Sequence, residues 1–516
     1  MGCADQPKEE YAMGKYRMYR SGLLAIVMGV CVISMPSEST AQTVSLSSLV
    51  IKSNAPVAGN KTRGTVTAVS AAPIGGAIIT LSSANTSVAT VPASVTMPAG
   101  SKSVGFTINT KRVSSARTVK ITAQSFNSRS ALLTVNPART VSWSGGSGPA
   151  FPITNQCFMG DFNGDHKSDI ACYTGTPGVW NVVLSTGSGW HSELWSGGPG
   201  VAIPITDQCF SGDFNGDGKT DLACYTGNAG SWNVALSTGT GWKSEFWNGG
   251  PALADEWNVV AVEGQCFAAD FNGDRKTDLA CSNGVDANWS VAVSTGTGWN
   301  TTTWTGPTVQ LPMTQQCLDG DFNADGKADV ACWSGEGGLW AVSLSTGSGF
   351  QGAMWSAGPI PVDEWYVIPV TNQCFAADFT GDKKADFSCS NGVNGNWNMS
   401  LSTGSGWNTT VWSGGAVVEL PMTQQCLSGD FNGDREADMV CWTGEGGGWA
   451  VELSTGTGWK GAIWSGGPAP VYEWNVVPVS GQCFTGDFNG DGITDVACYS
   501  GSNGAWNVAL LSGTGW

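Results

Sequence analysis

The sequence predicts an all-β protein, a seven-bladed β-propeller preceded by a β-sandwich. Three observations carry that prediction. A loop of the form Asp-Phe-Asn/Thr-x-Asp-x-x-x-Asp recurs seven times, its first aspartate falling at Asp161, Asp213, Asp270, Asp321, Asp378, Asp430 and Asp487. Seven cysteine pairs keep step with it, each separated by 15 positions. A composition with 72 Gly and 25 Trp but only 13% charged residues favours short strands and turns over helices.

The N-terminus comes first. Lys15, Arg17 and Arg20 precede an apolar run from Leu23 to Met35, then Pro36 and the small-residue site Ser39-Thr40-Ala41. That is the layout of a secretory signal peptide over residues 1–41, and the run is short for a bilayer span. Met13 and Met18 are alternative starts that would shorten the leader. Val30 precedes Cys31 where a lipoprotein signal needs a small residue. The expected mature protein is secreted or held at the cell surface, with no transmembrane span.

Residues 42–139 contain no Cys and no Trp and are rich in Ser, Thr, Val and Ala. Alternation in Gly64–Val69, Ser103–Ile108 and Arg117–Thr122 reads as strands, and the length suits an immunoglobulin-like β-sandwich. Val88–Ala93 and Leu133–Pro137 resemble bacterial immunoglobulin-like surface modules.

The array over 140–516 repeats at intervals of 52, 57, 51, 57, 52 and 57 residues. The longer repeats carry an added Glu-Trp element, at Glu256-Trp257, Glu364-Trp365 and Glu473-Trp474, so a two-repeat unit has been duplicated. Each repeat reads as four strands. In the second, Val201–Ile205 leads through Cys209, followed by Leu222–Tyr225, Trp232–Leu236 and Trp242–Trp247. The last repeat stops at Trp516 without its fourth strand. Thr140-Val141-Ser142-Trp143-Ser144-Gly145-Gly146 matches the missing piece, so residues 140–146 are expected to close the ring.

The cysteines pair by spacing as Cys157 with Cys172, Cys209 with Cys224, Cys266 with Cys281 and Cys317 with Cys332. The remaining three pairs are Cys374 with Cys389, Cys426 with Cys441 and Cys483 with Cys498. In an exported protein this spacing reads as disulfides. Zinc thiolate sites are the rival, but they need four ligands and a reducing compartment, and these cysteines come in twos.

Each nine-residue loop offers oxygen ligands at positions one, three, five and nine, together with the carbonyl of position seven, which suits a hard cation at a tight turn. The candidate metal residues are Asp161, Asn163, Asp165 and Asp169; Asp213, Asn215, Asp217 and Asp221; Asp270, Asn272, Asp274 and Asp278; and Asp321, Asn323, Asp325 and Asp329. The last three loops supply Asp378, Thr380, Asp382 and Asp386; Asp430, Asn432, Asp434 and Asp438; and Asp487, Asn489, Asp491 and Asp495. Calcium, up to seven ions, is expected over magnesium because it accepts many oxygens in flexible geometry. The alternative is a set of solvated Asx-turns. Position six calls for a left-handed residue, met by Gly218, Gly326 and Gly492 but occupied elsewhere by His166, Arg275, Lys383 and Arg435.

Gly-Asp-Phe-Asn-Gly-Asp-Gly-Lys-Thr-Asp (Gly212–Asp221) resembles the FG-GAP/VCBS repeat of integrin α-subunit propellers. The resemblance extends over about 140–516 and implies that each loop joins the first two strands of a blade and binds calcium. The family's Gly-Ala-Pro element is replaced here by Gly197–Pro199 and Ala357–Pro359, and the regular cysteine pair is an addition. Seven-bladed fungal lectins with similar loops are a more distant likeness and motivate a sugar-binding expectation.

Function is read by elimination. Two histidines, His166 and His191, leave little room for a histidine-based triad, and a net charge of −17 argues against nucleic acid as a partner. Nearly every notable carboxylate recurs, whereas an active site needs a unique constellation. Asp255-Glu256 and Asp363-Glu364 imitate a glycosidase pair, but neighbours on a strand would face opposite ways. The leading expectation is a non-catalytic binding or adhesion module for glycans or surface proteins. A carbohydrate-active enzyme or a purely structural scaffold is the alternative. Most tryptophans are expected to pack between blades; Trp257, Trp365 and Trp474, present on alternate blades, are the candidate ligand rim.

The charge is unevenly placed. Residues 42–139 hold ten Lys+Arg and no acid, a basic sandwich suited to an anionic surface, while the array carries 10 basic and 37 acidic residues. Twenty-one of those acids are the loop aspartates.

Overall fold

The computed structural model describes residues 43–52, 61–111, 113, 116–135, 140–149, 152–284, 287–362, 367–391, 395–444, 447–501, 504–511 and 516. The expected leader lies outside the described residues, as do Asp363, Glu364 and Trp365. Among the described residues the regular structure is strands and seven single-turn 3₁₀ helices, with no α-helix.

The N-terminal part has eight strands: β1 (Leu46–Ile51), β2 (Lys61–Ala68), β3 (Ala77–Ser83), β4 (Ala89–Thr90), β5 (Ser94–Met97), β6 (Ser103–Thr110), β7 (Arg117–Gln124) and β8 (Ser128–Val135). They pair into two sheets, ordered β1-β2-β6-β4 and β5-β3-β7-β8. Burial alternates along β2 and β3, as it must for a strand with one face on a core. Val66, Ile79, Ile108, Ile121 and Leu133 meet in that core.

Among the described residues the rest of the chain forms a propeller-like β-repeat fold, with seven four-stranded antiparallel sheets in succession. The first comprises Cys157–Gly160, Asp169–Tyr173, Val179–Ser185 and Trp190–Ser196.

The cysteines are joined as their spacing predicts, as disulfides within each sheet. Cys157 stands opposite Cys172 in strand register and is bonded to it, as are Cys209 to Cys224 and Cys266 to Cys281. The same bridge links Cys317 to Cys332, Cys374 to Cys389, Cys426 to Cys441 and Cys483 to Cys498. All seven have Cα atoms 4.0 to 4.1 Å apart, nearest to the roughly 4.5 Å of directly opposed, non-hydrogen-bonded residues in an antiparallel pair. With every one of these thiols used in a bridge, none is left to ligate zinc. Seven disulfides are the chemistry of an oxidising, extracytoplasmic compartment. Among the described residues no helix is long and apolar enough to cross a membrane.

One strand differs from the sequence reading. In the second sheet the first strand is Cys209–Gly212, and Val201–Ile205 is an irregular segment running into the 3₁₀ turn Ile205–Asp207. Pro204 has no N–H for a ladder, and Ile205 is drawn completely into the core instead.

Tryptophan sets the packing. Trp180, Trp232, Trp340 and Trp449 are fully buried, each donating its indole N–H to a proline carbonyl 19 residues later at 2.9 to 3.1 Å. The residue before that proline must be glycine: a Cβ on Gly198 would stand 2.6 Å from Trp180 and 2.9 Å from Trp242. The Gly-Pro element therefore exists to seat an indole. Trp242, from the second sheet, meets Trp195 of the first edge-on at 5.0 Å, so the aromatic area glues neighbouring sheets.

The sheets close on themselves. The seventh contains Cys483–Gly486, Asp495–Tyr499 and Trp506–Ala509, and its fourth strand is β9 (Thr140–Trp143), with Trp143 opposite Trp506. The backbone N–H at position eight of each aspartate loop donates to the position-one carbonyl of the loop before it. The pairs run Thr220 to Asp161, Thr277 to Asp213, Ala328 to Asp270, Ala385 to Asp321, Ala437 to Asp378, Thr494 to Asp430 and Ser168 to Asp487, all at 2.7 to 2.8 Å. The last pair joins first sheet to last.

Trp143 is 4% exposed and Val141, on the same strand, is 37% exposed. Trp143→Ala should cost about 3–5 kcal/mol in denaturant unfolding, whereas Val141→Ala should cost under about 1 kcal/mol. Equal effects would mean that the N-terminal strand does not lock the ring.

Candidate functional site

Two sets of residues concentrate polar chemistry: the aspartate loops, and the clefts beside the added Glu-Trp elements. In loop one, Asp161 accepts the N–H groups of Gly164 (2.7 Å) and Asp165 (3.1 Å) on Oδ1 and of His166 (2.8 Å) on Oδ2. Asn163 Oδ1 accepts from the Asp165 N–H at 2.9 Å. These are Asx-type turns, in which a short acidic or amide side chain takes up backbone donors that the tight bend leaves unpaired. Positions four and six both take positive φ, at Gly164 (78°) and His166 (64°), and in loop four at Ala324 (61°) and Gly326 (81°). The requirement at position four was not seen in the sequence, although glycine at six of the seven positions was the available signal.

Position nine is different in kind. Asp169 has no solvent exposure; its Oδ2 accepts the Phe162 N–H (3.0 Å) and its Oδ1 the Ser185 N–H (2.7 Å) on the third strand. The Ser185 hydroxyl in turn donates to the Phe488 carbonyl of the neighbouring loop at 2.5 Å. Burial, with smaller additions from the two other loop carboxylates, raises Asp169, Asp221, Asp278, Asp329 and Asp386 to about 7 and Asp438 to about 8. Asp495 is also pushed well above the usual range.

Position five has a partner the sequence reading did not assign. Lys167, Lys219, Lys276, Lys327 and Lys384, all at position seven, place Nζ 2.5 to 3.1 Å from the position-five carboxylate of their own loop. In loop one every carboxylate oxygen thus has a donor. Among the described residues no three acidic, histidine or cysteine side chains are gathered as a metal ion would hold them. In loop seven, where Ile493 replaces the lysine, Asp491 Oδ2 is buried without a hydrogen-bond partner. That orphaned oxygen is the feature of the loops that best fits a cation.

The second set stands at alternate sheet boundaries. Trp257 is half-buried and packs with Tyr225 and Leu253 against the core of the second and third sheets. Trp474 packs likewise against the cluster that contains Trp442. A cleft of about 380 Å³ is lined by Tyr225, Asp255, Glu256, Trp257 and Asn258, and one of about 520 Å³ by Val417, Glu419, Trp442, Ile463 and Trp474. Asp255 and Glu256 lie in a turn rather than a strand, so alternation does not decide which way they face.

Buried glutamines hold these inserts. Gln265 accepts the Asp255 N–H (2.8 Å) and donates to the carbonyls of Asp255 (3.1 Å) and Val260 (2.8 Å). Gln482 repeats the clamp on Tyr472 and Val477 at 2.7 to 2.9 Å. The Gln-Cys pair present in every repeat was the overlooked signal.

One buried acid breaks the symmetry. Glu452 lies on the third strand of the sixth sheet, where the other sheets place Val183, Ala235, Ala292, Ser343, Ser400 and Ala509. Opposite it is Gly461, as Gly352 is in the fourth sheet, whereas four other sheets carry Ser192, Thr301, Thr409 or Thr140, whose hydroxyls donate to a carbonyl of the preceding turn. Glu452 uses the room left by Gly461 to accept the Ala416 N–H instead, and Oε2 has no partner. Burial raises its carboxyl to about 7 from 4.5.

A model of the FG-GAP-like repeat matches residues 213–281, so that stretch, one loop-to-loop repeat, is similar to that family. No curated protein matches the chain. Among solved structures, an Agrocybe aegerita lectin recognising non-reducing terminal N-acetylglucosamine is similar at 15% identity and TM-score 0.45, over 70% of this chain and 90% of that one. The Vibrio cholerae biofilm matrix protein Bap1 is similar at 11% identity and TM-score 0.29, over 72% of this chain and 91% of that one. A putative 6-phosphogluconolactonase from Bacteroides uniformis is similar at 9% identity and TM-score 0.35, over 66% and 94%.

Because the folded Glu452 carboxyl holds its proton up to about 7 and the unfolded one only to 4.5, it removes stability as pH rises through that window. Glu452→Gln should therefore match the wild type near pH 4 and exceed it by roughly 1–3 kcal/mol at pH 8. Denaturant unfolding at both values checks this, and a pH-independent difference would contradict it.

Proposed function

We propose that the chain is a secreted or cell-surface, calcium-binding, seven-bladed β-propeller with an immunoglobulin-like N-terminal module, and that it binds glycans or surface proteins without catalysing a reaction. The observation that carries the binding reading is the pair of half-buried tryptophans, Trp257 and Trp474, each sharing a cleft with a second aromatic residue and at least one acidic residue. An indole face offers apolar area to the C–H face of a sugar ring, and adjacent carboxylates and backbone groups accept its hydroxyl hydrogen bonds. In the sequence Trp365 is the third residue of this kind, and it lies outside the described residues. Weak single sites on one rigid ring gain by multivalency, which suits binding to a repeated surface polymer.

Calcium is part of the same proposal. The loops recur in register, the position-nine carboxylates are buried beside two others, and such a group is stabilised in its charged form by a nearby cation. When bound, the ion would supply positive charge to the loops and a structural clamp. The candidate holders remain the loop oxygens named above.

Glycan-array binding should fall at least tenfold in the triple variant Trp257→Ala/Trp365→Ala/Trp474→Ala, with the melting temperature within a few degrees of wild type. Unchanged binding would remove the clefts from the proposal. In a separate measurement, excess chelator should lower the melting temperature of calcium-loaded protein, since an ion bound only to the folded state stabilises it. An identical melting curve would count against calcium.

A further inference from the structure

The boundary between the fifth and sixth sheets departs from the rest in a concerted way. Elsewhere the buried indole of the third strand donates its N–H to a carbonyl of the turn after the fourth strand, as Trp180, Trp232, Trp289, Trp340, Trp449 and Trp506 do. In the fifth sheet Ala416 stands where the first has Pro199, and the indole N–H of Trp397, fully buried, has no partner. Alanine brings a backbone N–H that proline lacks, and Glu452 of the sixth sheet accepts it. Gly461 makes room for that reach, since a Cβ there would stand 3.3 Å from Glu452 Oε2. A Cβ on Gly415 would stand 2.4 Å from Trp397 Nε1 and 3.4 Å from the same Oε2. Two buried polar atoms therefore converge on one glycine, and neither has a partner.

That glycine belongs to a cleft already described. Residues 415–419 line the cleft of about 520 Å³ together with Trp442 and Trp474. Ala450 and Ile463, the cross-strand pair two positions from Glu452 and Gly461 and so on the same face, line it too. Glu452 is only 2% exposed, and burial raises its carboxyl to about 7 against the opposing pull of the Ala416 N–H. The charged groups on the elements around it are Asp438 on the second strand, Lys460 on the fourth, Glu419 in the cleft wall and Asp386 in the fifth sheet. None of them contributes to that shift.

We propose that Glu452 is a proton-controlled latch on the Trp474 cleft: protonated, it holds the wall formed by residues 415–419 in place, and ionised, it releases it. A neutral carboxyl with one unpaired oxygen is far less costly in this boundary than a carboxylate. Lifting the wall gives both Glu452 and Trp397 to water, where the acid titrates near its ordinary 4.5. Opening therefore becomes easier as pH rises from 4.5 to about 7 and levels off above it. The second sheet has Ala235 and Ser244 in place of Glu452 and Gly461, and Pro199 in place of Ala416, so the wall there has no latch. The inference rests on the binding reading of the Trp474 cleft and adds its regulation.

Hydrogen exchange of the intact chain, read by mass spectrometry without any glycan, tests the latch on two peptides, residues 415–419 and residues 198–202. After correction for intrinsic rates, protection of residues 415–419 should fall at least tenfold between about pH 5 and about pH 8, while residues 198–202 stay unchanged. Glu452→Gln, whose amide carbonyl still accepts the Ala416 N–H but does not ionise, should abolish the fall. Equal protection of residues 415–419 at both pH values would overturn the latch, and so would an equal fall in residues 198–202 or a full fall in Glu452→Gln. Wild type alone decides the first two outcomes, so the test does not depend on the variant folding. Because no glycan is present, a negative result leaves the binding reading standing, and loss of glycan binding leaves the latch measurable.

Discussion

The ring depends on one buried carboxylate, repeated. The aspartate at position nine, Asp169 in the first sheet, accepts one backbone N–H from its own loop and one from the third strand, and thereby fixes where the loop stands relative to the sheet. Only a loop so fixed can present its position-one carbonyl to the next loop, and the seven carbonyls form the circuit that joins each sheet to its neighbour. The arrangement costs ionisation: burial lifts these groups to about 7 or above, so the ring holds its acids where water would release their protons.

Away from the aspartate loops the sheets are held differently. Buried indoles, those of Trp180, Trp232, Trp340 and Trp449 bonded to a proline carbonyl, glue sheet to sheet, and disulfides tie the first two strands of every sheet. With stability distributed over identical devices, departures at single boundaries are tolerated. Duplication has placed such departures at every second boundary, where Trp257 and Trp474 rise on glutamine-clamped inserts. The loop circuit therefore supplies the scaffold, and the alternate inserts supply what differs from it.

Much of this was legible in the sequence because it repeats. Seven aspartate loops, seven cysteine pairs and the Thr140–Trp143 match to a missing strand all declare themselves by periodicity, and the strand pairing places that segment beside Trp506–Ala509. The constant 15-residue spacing was enough to pair the cysteines, from Cys157 with Cys172 through to Cys483 with Cys498, because it spans one hairpin. What was not legible depends on contacts across loops. Position-seven lysines look like ordinary solvated residues until their stems are seen crossing the preceding glycine. Gln265 and Gln482 look like neighbours of a cysteine until the insert is seen folded around them. The first strand of the second sheet is read too early because Val201–Ile205 is apolar, and apolar character alone does not distinguish a strand from a buried 3₁₀ turn. Glu452 was passed over because it is visible only against the register of the other six sheets.

The central claim is that the aspartate loops form one closed circuit of equivalent hydrogen bonds. Native-state hydrogen exchange of the position-eight amides measures it most directly, with Ser168, which crosses from the first sheet to the last, as the informative residue. The account predicts that Ser168 is protected as strongly as Thr220, Thr277 and Thr494 and exchanges only with global unfolding. Fast exchange at Ser168 with the others protected would contradict it and describe an open array in place of a ring.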